Sequence, residues 1–209
     1  MKSFIDMSAA EREVFCVQAA ALLESPLPPA VIEKDFWVCW ALSMLLQIPA
    51  LKNAITFKGG TSLSKGWGLI DRFSEDIDLA VNRSVFGFEP PLGPEHSSSE
   101  TQRKKRLDAL ERQSHEFIKT VVVPQLEDAM GQHIVPESFR LNIVQKKGQV
   151  NVLFDYPGTL KGELVGVLPD VLIELVPRAD DVPNQVRTIT PTLYEVFPEI
   201  LGQGSFEVP

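Results

Sequence analysis

Two aspartates separated by one residue, Asp76 and Asp78 in the run Ser74-Glu75-Asp76-Ile77-Asp78-Leu79-Ala80-Val81, follow a Gly59-Gly60-Thr61-Ser62 turn. Alternate side chains of a strand share a face, so Asp76, Asp78 and Ala80 group on a wet side while Ile77, Leu79 and Val81 face a core. The carboxylates then lie roughly 6.6 Å apart along the strand, within reach of a shared pair of Mg²⁺ ions, which demand hard oxygen ligands. Metal pairs of this kind hold the attacking and leaving oxygens of an in-line displacement at phosphorus. Nucleotidyl transfer is such a reaction: a nucleophile attacks an α-phosphorus and pyrophosphate leaves. A third carboxylate on a neighbouring strand normally completes the site. Glu174, an acid midway through Val171-Leu172-Ile173-Glu174-Leu175-Val176, is hard to justify as structure alone and takes that place.

A phosphate cradle is available beside the acids. Glycine lets backbone approach a ligand closely, and a helix N-terminus favours anions, so Gly59, Gly60 and the amides opening a helix at Thr61 suit a triphosphate. The Thr61 or Ser62 hydroxyl can reach a β- or γ-phosphate, with Lys58, Lys65 and Arg72 as candidate counter-charges. Two common phosphate motifs do not fit: Ser64 precedes Lys65, the reverse of a P-loop, and Gly66-x-Gly68 lacks a third glycine. No glycine follows the acids where an EF-hand needs one.

The elements that would carry these residues can be read from periodicity and caps. Ser8-x-x-Glu11 is a capping box, and Val14, Phe15, Ala19, Leu22 and Leu23 at helical spacing predict a helix from about Ala9 to Glu24. Pro29 opens a second, almost entirely apolar helix that ends before Pro49 and belongs at the centre of the fold. Ile55 to Lys58 reads as a strand, Thr61 to Lys65 as a helical turn, and Ser74 to Val81 as a second strand. The Pro-, Gly- and Ser-rich stretch 82–99 is expected to be a flexible insertion or lid. A capping box at Ser97-x-x-Glu100 predicts a long helix carrying Leu107, Leu110, Phe117, Ile118, Val121 and Val122, kinked or ended by Pro124 with a remnant to about Met130. Phe139 to Asp155 reads as a hairpin turning at Lys146-Lys147-Gly148-Gln149. A strand from Val171 to Val176 stops at Pro177, and the tail from Pro191 is a short helix followed by irregular chain. The expected fold is α/β: one domain over 1–209 with a helical part at 1–50, and a mixed, mostly antiparallel sheet flanked by helices in which the strands of Asp78 and Glu174 are neighbours.

Composition sets limits. A net charge of −8 argues against bulk coating of nucleic acid, because that binding scales with the phosphates neutralised. Arg103-Lys104-Lys105-Arg106 is either a solvated helix face or, with Lys146 and Lys147, an RNA backbone contact. Glu33-Lys34-Asp35 at the head of the second helix is either helix-end electrostatics with an exposed lysine or a group that reaches the phosphates. Cys16 and Cys39 form no Cys-x-x-Cys pair and read as buried free thiols in a reducing cytoplasm, and His96, His115 and His133 lack metal-ligand spacing. The early acids leave no signal-peptide core, and the longest apolar stretch is too short to span a bilayer.

Three segments together are more specific than any part: Val31-Ile32-Glu33-Lys34-Asp35-Phe36, Phe57 to Leu79 with its Gly-Gly-Thr-Ser and Arg-Phe-Ser-Glu-Asp-Ile-Asp-Leu, and Ile173-Glu174-Leu175 with Arg178. They resemble the polymerase β-type nucleotidyltransferase superfamily and, within it, the AbiEii/AbiGii toxins of type IV toxin–antitoxin and abortive-infection systems. The resemblance implies a Mg²⁺- (or Mn²⁺-) dependent enzyme with metal on Asp76, Asp78 and Glu174, and an NTP held by Gly60, Thr61, Ser62 and Lys65 with Arg178 nearby. It further implies transfer of NMP to RNA, plausibly a tRNA 3′ end, and a cognate antitoxin as partner. Transfer to a protein or small molecule, or nucleotide binding without catalysis, are the alternatives. Members of the family usually continue into a helical C-terminal part with a further lysine and acid; by this expectation that part is absent here.

Overall fold

The computed structural model describes residues 1–146, 149–163, 166, 168–178 and 185–209. A first helical turn, α1 (Lys2–Ile5), leads into α2 (Ala9–Leu22), which opens with the expected reciprocal cap between Ser8 and Glu11. Helix α3 (Pro29–Leu45) starts at its proline, and every residue from Ala30 to Leu45 is buried. It is the central pillar: Phe36 packs on Phe4, Trp37 edges against Trp40, and both tryptophans meet Phe154 of the sheet.

Strand β1 (Ile55–Lys58) runs directly into α4 (Gly59–Thr61), which widens into a π-helical turn over Ser62–Gly66. Strand β2 (Ile77–Asn82) follows, and α5 (Glu100–Phe117) passes through a second π-helical turn, Ile118–Val122, into α6 (Val123–Gly131). The bulge lets the helix axis continue with Pro124 in the first turn of α6, where its missing N–H costs nothing. The hairpin β3 (Arg140–Lys146) and β4 (Gln149–Asp155) precedes β5 (Val171–Arg178), then β6 (Arg187–Ile189), α7 (Thr192–Val196), α8 (Pro198–Leu201) and β7 (Phe206–Val208).

Five strands form one sheet in the order β1-β2-β5-β4-β3, and β6 pairs with β7 in a small second ribbon. Among the described residues only β2 and β5 run parallel; the other pairs are antiparallel. The strands of Asp78 and Glu174 are therefore neighbours, as expected, in a mixed and mostly antiparallel sheet.

Several local expectations are corrected. Strand β2 begins at Ile77 rather than Ser74, so Asp76 stands in the loop just before it, and Ala80, expected on a wet face, is buried. Helix α5 is capped by Ser99, whose side chain accepts from Gln102 N–H, because Ser98 engages the Gln102 side chain and draws the start two residues onward from Ser97. Strand β5 runs through Pro177 to Arg178. Its β4 partner is paired only as far as Ile173, so the absent N–H of Pro177 leaves no ladder bond unmade on that side. The tail is not irregular: Phe206–Val208 pairs with β6, and the Pro209 carbonyl accepts from Phe57 N–H at 2.8 Å. Apart from these corrections, segment 82–99 contains two short 3₁₀ turns, an Arg83–Glu95 ion pair and the carbonyls of Pro91 and Gly93 that accept from Arg106.

Candidate active site

The site is built where β1 hands over to α4. Gly59 has φ +76°, a left-handed conformation, and a Cβ placed there would stand 1.8 Å from Asp78 Oδ2. The glycine is needed twice: for the turn and so that the backbone can pass directly against the carboxylate. A Cβ on Gly60 would meet Ser74 Oγ at 2.7 Å and Arg72 Nη2 at 3.3 Å. The start of α4 is thus walled by Asp78 on one side and by Arg72 and Ser74 on the other.

Asp78 sits opposite Lys58 across the β1/β2 ladder, with 3.8 Å between ammonium and carboxylate, and beside Glu174 in the parallel β2/β5 register. Asp76 is half-buried, and its pKa is raised by burial first, then by the charges of Glu75 and Asp78, with Glu174 adding to the push and Lys34 opposing it. Asp76, Asp78 and Glu174 therefore form one electrostatic neighbourhood of excess negative charge. Among the described residues, no three His, Cys, Asp or Glu side chains converge on a common point at metal-ligand spacing. The donor chemistry nevertheless fits a hard cation: three carboxylates on adjacent segments, whose mutual repulsion a divalent ion would relieve.

Two predicted phosphate contacts are occupied by protein. Thr61 is buried, and its hydroxyl donates to the Asp76 carbonyl at 2.5 Å with Ser74 Oγ 3.0 Å away, so it pins the loop that carries Asp76. Lys65 pairs with Asp35 at 2.7 Å and also donates to Thr190 O and Thr192 Oγ1. Burial disfavours the Lys65 ammonium, but Asp35 outweighs it and the pKa ends raised. Ser62 is also buried, whereas Lys58 and Arg72 stay at the mouth of the turn. Lys147 lies outside the described residues, as do the side chains of Lys146 and Arg178.

Sequence reasoning missed the role of Glu33-Lys34-Asp35. All three are buried, and Lys34, exposed on the first of the two sequence readings, has no exposure at all. Successive helix residues point about 100° apart, so each ties α3 to a different segment. Glu33 accepts from Thr159 N–H, Thr159 Oγ1 and Leu160 N–H; Lys34 donates to Glu75 and to Leu168 O; Asp35 accepts from Lys65 and from Thr192 N–H. The signal was three consecutive charges inside a helix otherwise fit only for a core.

The model of one protein family, nucleotidyl transferase AbiEii toxin of type IV toxin–antitoxin systems, matches residues 40–209. The chain belongs to the AbiEii family. Among solved structures the AbiEii chain is similar to MenT4, a nucleotidyltransferase toxin from Mycobacterium tuberculosis H37Rv, at 16% identity and a TM-score of 0.42 over 97% of this chain. The chain spans about half the length of that protein, 54%. No curated protein matches the AbiEii chain. Among its described residues, no helix is long and apolar enough to cross a membrane.

Proposed function

We propose that this AbiEii chain transfers a nucleotide from an NTP to an RNA acceptor, plausibly a tRNA 3′ end, and serves as the toxin of a toxin–antitoxin pair in the cytoplasm. The observation that carries the reading is the placement of Asp78: in register with Glu174 on the parallel strand and in direct contact with the Gly59 turn. Asp76, Asp78 and Glu174 would hold the metal, Mg²⁺ or Mn²⁺. When bound, such a metal supplies charge neutralisation at the phosphates and acidifies an attacking hydroxyl. The amides opening α4 present N–H groups to the triphosphate, and Lys58 and Arg72 offset its charge. The acceptor hydroxyl forms the new bond to the α-phosphorus as the bond to pyrophosphate breaks, giving up its proton to the carboxylate cluster.

Three observations support the partners and the compartment. Arg103, Lys104 and Lys105 are exposed on α5 and offer a basic surface for an RNA backbone. The family to which the chain belongs is a toxin family of type IV toxin–antitoxin systems, which supports an antitoxin as partner, and the two buried free thiols fit a reducing compartment. A second reading, nucleotide binding without turnover, draws on the spacing of the three carboxylates, which do not converge on a common point among the described residues.

Incubation of labelled NTPs with bulk RNA, with and without Mg²⁺, tests the proposal. A metal-dependent labelled RNA is expected, falling roughly 100-fold or more in Asp78→Ala if that ligand supplies several kcal/mol at the transition state. Label in protein or small molecules would redirect the acceptor, and binding without any product would favour the second reading.

A further inference from the structure

Lys34 stands apart from the other buried charges in where its contacts lead. Its ammonium, wholly removed from solvent on the core helix α3, donates to Glu75 Oε2 and to Leu168 O at 2.6 Å, while the same Glu75 oxygen accepts from Leu168 N–H at 3.0 Å. Glu75 is the residue before Asp76, and Leu168 lies in the approach to β5, the strand of Glu174. One cation therefore joins α3 to the two loops that deliver two of the three carboxylates. Burial disfavours the charge and pushes the Lys34 pKa down. A buried ion pair of this kind is weak support for stability, because an apolar residue of similar volume often serves as well. Its retention at the point where both loops meet calls for a positional reason.

We propose that Lys34 is a positioning residue for the metal site, acting through Glu75 and Leu168 to hold Asp76 and Glu174 at a common distance from Asp78. The proposal rests on the assignment of those three carboxylates as metal ligands. Among the described residues, the hydrogen bonds of Lys34 go to Glu75 and Leu168, whereas Asp35, the next residue, holds the phosphate turn through Lys65. Adjacent residues of one helix thus divide the work, one aligning the acids and the other the phosphate turn.

Binding of Mn²⁺ alone to the full chain, followed by the EPR signal of the free aqueous ion, separates positioning from simple stability. Groups that orient metal ligands typically change metal affinity 10–100-fold when removed, so Lys34→Met is expected to weaken Mn²⁺ binding at least about tenfold. Glu75→Gln keeps an acceptor for both Lys34 and Leu168 and is expected to stay within about threefold of wild type. Glu33→Gln disturbs the same turn of α3 with no route to Asp76, and is expected to lower Tm while leaving Mn²⁺ affinity unchanged.

Wild-type affinity in folded Lys34→Met overturns the proposal, and so does a loss that Glu33→Gln matches. A tenfold loss in Glu75→Gln also overturns it, since Glu75 would then be a ligand itself. If Lys34→Met does not fold, Glu75→Leu replaces it: the acceptor is gone, Mn²⁺ binding should fall as above, and affinity equal to that of Glu75→Gln overturns the proposal. A wild-type chain that binds no Mn²⁺ removes the functional reading and this one together; one that binds Mn²⁺ alongside an equal Lys34→Met removes this one only.

Discussion

Gly59 concentrates the constraints of the site in one residue. Its φ of +76° disfavours any side chain, and the space its Cβ would need is filled by the Asp78 carboxylate. Gly59→Ala should therefore cost about 1 kcal/mol or more in stability and displace Asp78, which thermal denaturation and Mn²⁺ titration of the same sample would register together. A variant with unchanged Tm and unchanged metal affinity would mean that the turn relaxes freely. Thr61 offers a second test. Removing the donor to the Asp76 carbonyl by Thr61→Val should cost about 1–3 kcal/mol if that carbonyl is left without a partner, with chemical denaturation as the measure. The Gly59 turn and the adjacency of the Asp78 and Glu174 strands were legible in the sequence because residue type dictates chemistry. The destinations of the Thr61 and Lys65 polar groups were not, because the Asp76 carbonyl, Asp35 and Thr192 become neighbours only in three dimensions.

At the level of elements, α3 is both the core and the frame. Its boundaries and centrality were legible from Pro29 and from a side-chain sequence with no polar face, and strand β1 was legible to the residue. The start of β2 was not: Ser74, Glu75 and Asp76 are all polar and continue the run into the strand without a turn signal, yet Ser74 and Asp76 contact the α4 turn instead of a ladder. The Asp35–Lys65 pair that joins α3 to that turn should behave as a buried ion pair. Lys65→Met strands the Asp35 charge, and a cost of about 3–5 kcal/mol is expected in denaturant unfolding. The charges facing Lys65 are Asp35, the Cys39 thiol and Glu195, and its raised folded-state pKa fixes the sign of the pH dependence. A raised lysine pKa contributes stability that is complete below the unfolded value of 10.5 and is lost as pH climbs through the folded value. The stability difference between wild type and Lys65→Met should hence be flat from about pH 6 to about pH 10 and shrink only beyond. Burial also raises the Cys16 thiol to about 12 and pushes up that of Cys39. A thiol reagent at neutral pH should accordingly find neither until the α2–α3 packing opens.

Across the whole molecule, the ribbon of β6 and β7 closes the fold against the edge of the main sheet. Val208 and Ile189 are buried there, and Pro209 caps the Phe57 N–H at the strand that enters the cradle. Deleting residues 206–209 removes Val208 and should expose Ile189, at about 1.5–3 kcal/mol if that side chain is fully uncovered, and lower Tm accordingly. This closure was illegible beforehand, since three alternating residues after a run of turns carry too little pattern to separate a strand from coil. The pairing of β2 with β5 was anticipated only from chemistry, as the need of two aspartates for a third acid.

That parallel pairing has a further consequence during synthesis. Asp78 leaves the ribosome well before Glu174, and with chain growth at about 5–20 residues per second the interval is roughly 5–20 s. Throughout it, the nascent chain holds its glycine turn, Asp76 and Asp78 but lacks Glu174, so the parallel β2/β5 register forms only once β5 has been made. Anything that paired with β2 in that interval would compete directly with β5 for the same edge.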